Sequence, residues 1–424
     1  MQDVFDPATE FMRSEVLTLK PKRSALCLAC LLLLAPLLIH AWQVLPLDRQ
    51  PLIEKKYAGW SGVLRLWVFE GWPCGAGSVS SWLNRCVAGF EKDHPGVYVQ
   101  PQYVDSDALA DFYDSGIQPP DMLLFPPGLL RSPEGLVPVG PPAAVRPELT
   151  RFGLWEGTAC ATPVAMGGYM WAWNPALIDD IPADWRECDG ELAVPEPEIW
   201  RRWDAALLAL CAGRRAARDD GDIGESETLL PGMDLGLELP ETPVPAATAA
   251  PDAAVVPCRL PAGFAFDGDA WRRFINGEAA AMPVTQREIR RLQQLSEQGR
   301  GPDWQLRPAD TPFSDQLLFL GIAARAEGDE RPALCLKFLD CMLGPECQGD
   351  LCHVGAFGVT DAPSGYLAGD PLAALDASLR TDGLLAPNCF DTEWPDIAKN
   401  IVREFIDGSA ESTAQWRQLQ DMLG

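Results

Sequence analysis

Val63-Leu64-Arg65-Leu66-Trp67-Val68-Phe69 is a mostly apolar run with no helical spacing. It reads as a strand buried on both faces, the pattern of a parallel sheet. A Gly/Pro/Ser loop follows at 71–78. Then Val79, Trp82, Leu83, Cys86, Val87 and Phe90 fall on one face of a helix. His94-Pro95-Gly96 stops that helix, and Val97-Tyr98-Val99 opens a second strand. Strand, helix and strand in so short a span form a βαβ unit, with parallel strands and a right-handed crossover.

Ser106 caps a further expected helix carrying Leu109, Phe112 and Tyr113, which Pro119-Pro120 ends. Asp121-Met122-Leu123-Leu124-Phe125 gives a third strand, so this part of the chain is an α/β lobe. A second run of strands starts at Ala161–Trp173. Residues 200–212 form a helix with Trp203, Leu207, Leu208 and Cys211 on one side. Gly213–Ala262 is rich in Asp, Glu, Pro and Ala and lacks sustained periodicity, so it reads as a long acidic loop or disordered insert. Beyond it come a helix at Asp269–Gly277, a strand-like Ala279–Val284, and amphipathic helices at Pro332–Leu343, Trp394–Phe405 and Ser412–Leu423.

Upstream, Ser24–Leu47 carries no full charge over 24 residues, enough to cross a hydrocarbon core. Arg13, Lys20, Lys22 and Arg23 precede it and orient the N-terminus toward the cytoplasm. The expectation is an N-terminal transmembrane helix acting as an uncleaved signal anchor, with the rest extracellular. A cleaved signal is the alternative, although Ile39-His40-Ala41 is a poor cleavage site. A lipoprotein fits less well, because Cys27 and Cys30 sit too near the start of the apolar core.

The 424 residues suffice for two lobes. The net charge of −26 belongs to the ectodomain, since the acidic and basic residues of 1–42 cancel. Such a surface repels nucleic acid and anionic lipid, so no nucleic-acid partner is expected and the tether must be apolar. Of 13 Cys, Cys27 and Cys30 lie in the apolar segment, which leaves an odd 11 outside. Cys74 with Cys86, and the cluster Cys335, Cys341, Cys347 and Cys352, are the candidate disulfide pairs. The other reading of these residues is small buried apolar side chains.

The order of segments resembles the extracellular solute-binding proteins of ABC importers, in the family that includes maltose-binding protein. Five stretches carry the resemblance: Val63–Phe69; Phe90-Glu91-Lys92-Asp93-His94-Pro95-Gly96-Val97-Tyr98-Val99; Pro120-Asp121-Met122-Leu123-Leu124; Ala161–Asn174; and Phe274–Met282. The resemblance implies an α/β, two-lobed, periplasmic-binding-protein-like (type II) fold with a hinge. Its divisions are a tail at 1–23, the anchor at 24–47 and a linker at 48–60. Lobe 1 begins with 61–163, and lobe 2 spans 164–285 with the insert at 213–262. Residues 286–326 return to lobe 1, and 327–424 form a C-terminal helical part, mainly of lobe 2. The chain departs from the family pattern at Gly167, where some sugar-binding members carry an acidic residue.

Ligands of open α/β sheets sit at the carboxyl ends of the strands. Sugars ask for aromatic faces beside fixed hydrogen-bonding groups. Glu70, Trp72, Phe125, Tyr169 and Trp171 are the candidates on those grounds, and Trp394 lies where the resemblance implies a cleft aromatic. Trp304, Phe313 and Asp315 rank below them, while Trp67 and Trp82 belong to the core.

Catalytic readings lack support. His94 and His353 are the only histidines outside the apolar segment, and no G-x-S-x-G elbow is present. Gly75-Ala76-Gly77 is one glycine short of a dinucleotide fingerprint, and 219–225 misses the EF-hand spacing. No cofactor, metal or catalytic residue is expected. The function expected is capture of a small polar solute, a carbohydrate above all, for an ABC permease. A transporter-independent sensory ectodomain and an anchored hydrolase are the alternatives.

Overall fold

β1 (Gly62–Phe69) pairs in parallel with β2 (Val97–Val104) along its whole length and with β3 (Met122–Phe125) on its other edge. Between β1 and β2 runs α1 (Val79–Asp93), opened by a Ser78–Ser81 capping box. Its apolar face buries Trp82, Leu83, Cys86, Val87 and Phe90. Removing side chains of this size from water stabilises by about 1.5–3 kcal/mol each. Gly96 turns the chain into β2 at φ 97°, a conformation that residues with a Cβ rarely adopt. The βαβ unit is therefore present as the spacing predicts.

A computed structural model describes residues 60–69, 71–105, 109, 120–140, 142–182, 185–211, 260–261, 263–309, 311–381, 383–406 and 412–424. All the named elements lie in one unit, Gly62–Gly424. The expected anchor at 24–47, almost all of the acidic insert and nearly all of the helix expected after Ser106 lie outside the described residues. Among the described residues, no helix is long and apolar enough to cross a membrane.

Two sheets make two lobes. Besides a two-residue hairpin, Leu154–Trp155 with Thr158–Ala159, the later strands are β4 (Thr162–Met166), β5 (Tyr169–Trp173), β6 (Ala281–Thr285), β7 (Gln305–Pro308) and β8 (Leu317–Ile322). The first sheet has the order β2-β1-β3-β8-β4, with β8 antiparallel to both neighbours. The second is β6-β5-β7, all antiparallel. Lobe 2 also holds α2 (Trp203–Cys211), α3 (Ala270–Ile275) and α4 (Gln286–Glu297). Every described side chain of α2 is buried, so it is a core helix rather than a one-faced one. In the C-terminal region, α5 (Arg331–Met342) is followed by α6 (Pro371–Ser378), α7 (Trp394–Ile406) and α8 (Ser412–Leu423).

Asp121 explains the Pro-Asp start of β3. Its buried carboxylate accepts the Arg65 amide at 2.8 Å, Arg325 Nη2 at 2.7 Å and Arg331 Nη1 at 3.1 Å. One acid thereby fastens β1, the exit of β8 and the start of α5. Satisfying a buried charge with several donors is what makes its burial tolerable.

The lobe boundaries differ from the expected ones in three places. β4 belongs to the first sheet, so lobe 1 runs to Met166 rather than to residue 163. α4 follows β6, and β7 pairs with β5, so the return to lobe 1 comes after Pro308 and not at 286. The C-terminal part is shared rather than mainly lobe 2. Phe338 of α5 meets Phe90 of α1 edge-on at 5.2 Å, in lobe 1. Trp394, Ile401, Val402, Leu419 and Leu423 join the lobe 2 core around Trp171 and Trp203.

The chain crosses between lobes at Gly167-Gly168 and again at 311–316. The Gly167 amide donates to the Gln316 carbonyl at 2.7 Å, and Ser314 Oγ donates to the Gly167 carbonyl at 2.7 Å. Gln286 Oε1 accepts the Gly168 amide at 3.2 Å, while its Nε2 donates to Gln316 Oε1 at 2.7 Å. A Cβ on Gly167 would stand 2.4 Å from both Gln286 Nε2 and Gln316 Oε1, and 2.9 Å from Trp72 Nε1. The glycine is there for space, not for a left-handed backbone. Gly167→Ala is expected to lower stability by about 1–3 kcal/mol, the range for an overpacked core. Gly140→Ala, where nothing stands within 4 Å, should leave it nearly unchanged. Urea unfolding of the two variants checks the contrast.

Candidate functional site, an interlobe cleft

The carboxyl ends of β1 and β2 open onto a cleft of about 790 Å³. Its lobe 1 wall is the loop from Gly71 to Gly77, the first turn of α1, and Tyr103–Asp105. Ile199, Trp200 and Arg287 form the lobe 2 wall. A smaller chamber of about 260 Å³ shares Ile199 and Trp200 and is bounded by Pro127, Gly128, Arg202, Asp315 and Trp394. The two spaces are adjoining parts of one groove between the lobes.

Trp72 is held in the lobe 1 wall, 3% exposed, and its indole N–H has no hydrogen-bond partner. Burying an unpaired donor costs free energy that a partner would recover. Trp394 is equally buried, with an unpaired Nε1 close beneath Gly128. Across the groove, Ile199 is 74% exposed although it is apolar. Tyr103 is exposed as well. Arg287 is placed by the start of α4, where Thr285 and Glu288 form a capping box. Glu288 also accepts Arg201 Nη1 at 3.1 Å, which ties the 198–202 segment to this helix. The groove thus combines aromatic surface, two guanidiniums and backbone at a helix N-terminus.

The sequence candidates separate into four groups. Trp72 and Trp394 line the groove. Tyr169 lies behind it: its hydroxyl donates to Asp315 Oδ1 at 2.8 Å, and its ring stacks on Phe313 and meets Trp203 edge-on. Phe125 and Trp171 are core residues and do not line it. Phe125 packs between Phe319 and Phe390, and Trp171 donates to the Leu210 carbonyl at 3.1 Å inside lobe 2. Both sit in strands buried on two faces, so a strand-end position did not expose them. Glu70 lies outside the described residues. Of the lower-ranked three, Asp315 borders the smaller chamber, Phe313 stacks behind it, and Trp304 is bound to Ser296 Oγ on α4 at 2.7 Å.

Sequence reasoning missed Tyr103, Ile199, Trp200, Arg202 and Arg287. For Arg287 a signal existed, because Thr285-Gln286-Arg287-Glu288 spells a capping box. Ile199 and Trp200 follow the irregular Pro195–Glu198 stretch, where no periodicity assigns a face.

Asp315 carries the electrostatics of the crossing. Besides Tyr169, it accepts the Arg202 amide at 2.8 Å, so it joins the 311–316 crossing to the lobe 2 wall. Burial pushes its carboxyl up to about 6, against those hydrogen bonds, which pull it down. The folded value lies above the unfolded value near 4, so folding takes up a proton. Ionisation therefore erodes stability as pH rises from about 4 to 6, by on the order of 3 kcal/mol in total. Urea unfolding at pH 4 and pH 7 should show this loss, and Asp315→Asn should remove that part of the pH dependence.

No protein-family model matches the chain, and no curated protein does. Solved structures do. The maltodextrin-binding protein MalE1 of L. casei BL23 is 15% identical, with a TM-score of 0.56 over 86% of this chain and 99% of that one. A family 1 extracellular solute-binding protein of Bifidobacterium longum subsp. infantis is 12% identical, with a TM-score of 0.53 over 86% and 99%. The sugar-binding protein MalE of Xanthomonas citri is 15% identical, with a TM-score of 0.52 over 85% and 96%. Gly62–Gly424 has the two-lobed fold of the family 1, MalE-like solute-binding proteins.

Proposed function

We propose that this chain is a binding protein, not an enzyme, that captures a carbohydrate between its lobes and delivers it to an ABC importer. The observation that carries the reading is the groove of about 790 Å³ with Trp72 and Tyr103 on one wall and Trp200 on the other. Sugar rings present flat C–H faces to aromatic side chains and hydroxyls to polar groups. The Arg287 guanidinium supplies donors for those hydroxyls. The names of the structural neighbours, a maltodextrin binder among them, support an oligosaccharide built from glucose.

Hinge closure brings both walls onto one ligand, so affinity depends on both. Ser24–Leu47 tethers the protein to the cell membrane, with its N-terminus inside and the lobes outside. That assignment rests on the uncharged span and its basic flank. Detecting residues 1–23 in the mature protein, by N-terminal sequencing of the membrane fraction, tests it against a cleaved signal.

Calorimetric titration with maltose, maltotriose and longer maltooligosaccharides tests the ligand class. Binding is expected for at least one of them, and Trp200→Ala should raise its Kd about tenfold or more, the equivalent of 1.4 kcal/mol. The half-buried Trp200 contributes little to the core, so the unfolding midpoint should hold. If no member of the panel binds, the carbohydrate assignment fails.

A further inference from the structure

Three thiols remote in sequence converge where α1 packs on the C-terminal helices of lobe 1. Cys86 lies on the buried face of α1, Cys341 in the last turn of α5, and Cys347 in the short helix Pro345–Gly349. The arrangement is held from several sides. Trp82 Nε1 donates to the Cys347 carbonyl at 2.8 Å, Phe90 meets Phe338 at 5.2 Å, and Cys341 Sγ approaches the Cys86 carbonyl at 3.9 Å. The Cys347 thiol is near enough to those of Cys341 and Cys86 for each to shift its titration. All three are free. Other cysteines are engaged differently: Cys335 Sγ turns toward the Asp121 carbonyl, and Cys352 lies against Gly365.

We propose that Cys347 is the pivot of a disulfide site, which on oxidation of the folded chain joins its sulfur to that of Cys341, with Cys86 as the buried alternative partner. Cys341 and Cys347 are both partly exposed, so an oxidant reaches them, whereas Cys86 is fully buried. The oxidant is a disulfide from outside the chain, carried by a thiol oxidoreductase or by glutathione. The Cys347 thiolate attacks it, forms a mixed disulfide and expels one thiolate. The Cys341 thiolate then attacks the Cys347 sulfur and expels the second. One external disulfide becomes two thiols and two thiols of this chain become one disulfide, the two protons lost by the chain ending on the two expelled thiolates. If the Cys86 thiolate attacks that bond instead, it yields Cys86–Cys347 and frees Cys341.

The same geometry sets the rate. Contact with Cys341 lowers the Cys347 thiol, but contact with Cys86 and burial outweigh it and push it up to about 12. The contact with Cys347, followed by burial, raises Cys341 well above its ordinary range. The thiolate is the attacking form, so oxidation should accelerate with pH through the alkaline range. Export to an oxidising compartment is where such a bond persists.

The test incubates the full folded chain with glutathione disulfide at pH 8, alkylates the remaining thiols and maps peptides without reduction. Cleavage after Glu346 and Asp350 separates Cys341, Cys347 and Cys352. The expected product is one linkage joining Cys341 to Cys347. In Cys341→Ser it moves to Cys86–Cys347, and in Cys347→Ser both Cys341 and Cys86 are alkylated. The proposal is overturned if Cys347 remains alkylatable, stops at a glutathione adduct, or links to a cysteine outside the three. The unsubstituted chain decides this by itself, even where a variant fails to fold.

Discussion

The close packing of Gly167 against Gln286, Gln316 and Trp72 is the constraint on which the rest of the molecule depends. At this point the chain leaves one sheet and starts the other, and there is no room for a Cβ. Two glutamines, one from the start of α4 and one from the returning crossing, close around it through a chain of hydrogen bonds. Because both crossings bond to each other rather than to separate lobes, they behave as one joint. The strands on either side, β4 and β5, are fully buried.

The same joint positions the cleft. Trp72 touches Gly167 from lobe 1, while Gln286, which begins α4, touches it from lobe 2, next to Arg287. Asp315 extends the contact by bonding Tyr169 in β5 and the backbone of Arg202 beside Trp200. Most polar groups at the joint are bonded within the protein, whereas Gln316 Nε2 and the buried Trp72 Nε1, which points toward Gly167, find no partner there. These bonds tie both walls of the groove to the joint.

Much of the fold was legible in the sequence, for a physical reason in each case. The face formed by Val79, Trp82, Leu83, Cys86, Val87 and Phe90 has one reading, and α1 buries five of these six. The positions of α5, α7 and α8 agree to within about one residue with the periodicity that marks them. The lobe boundaries were less legible, because β7 and β8 are alike in length and separated by a short crossing. Only their partners, β5 and β3, reveal which sheet each one joins. The site was legible at Trp72 and, through the family resemblance, at Trp394, while most of the lobe 2 wall was not. Trp72 follows a strand end, a place where topology favours ligands. Trp200 and Ile199 reach the groove from an irregular segment whose direction depends on Arg201 and Glu288, residues far apart in sequence. Trp171 illustrates the opposite error. It shares the aromatic character of a sugar platform, but alternation within a strand buried on both faces sends it into the core.

The central claim is that one solute engages both walls at once. Hydrogen–deuterium exchange mass spectrometry on the full chain, with and without a saturating maltooligosaccharide, addresses it directly. The account predicts that the ligand slows exchange in the 71–80 segment of lobe 1 and in the 198–202 segment of lobe 2 together. Protection confined to one of these segments, or to surfaces away from the groove, would contradict it.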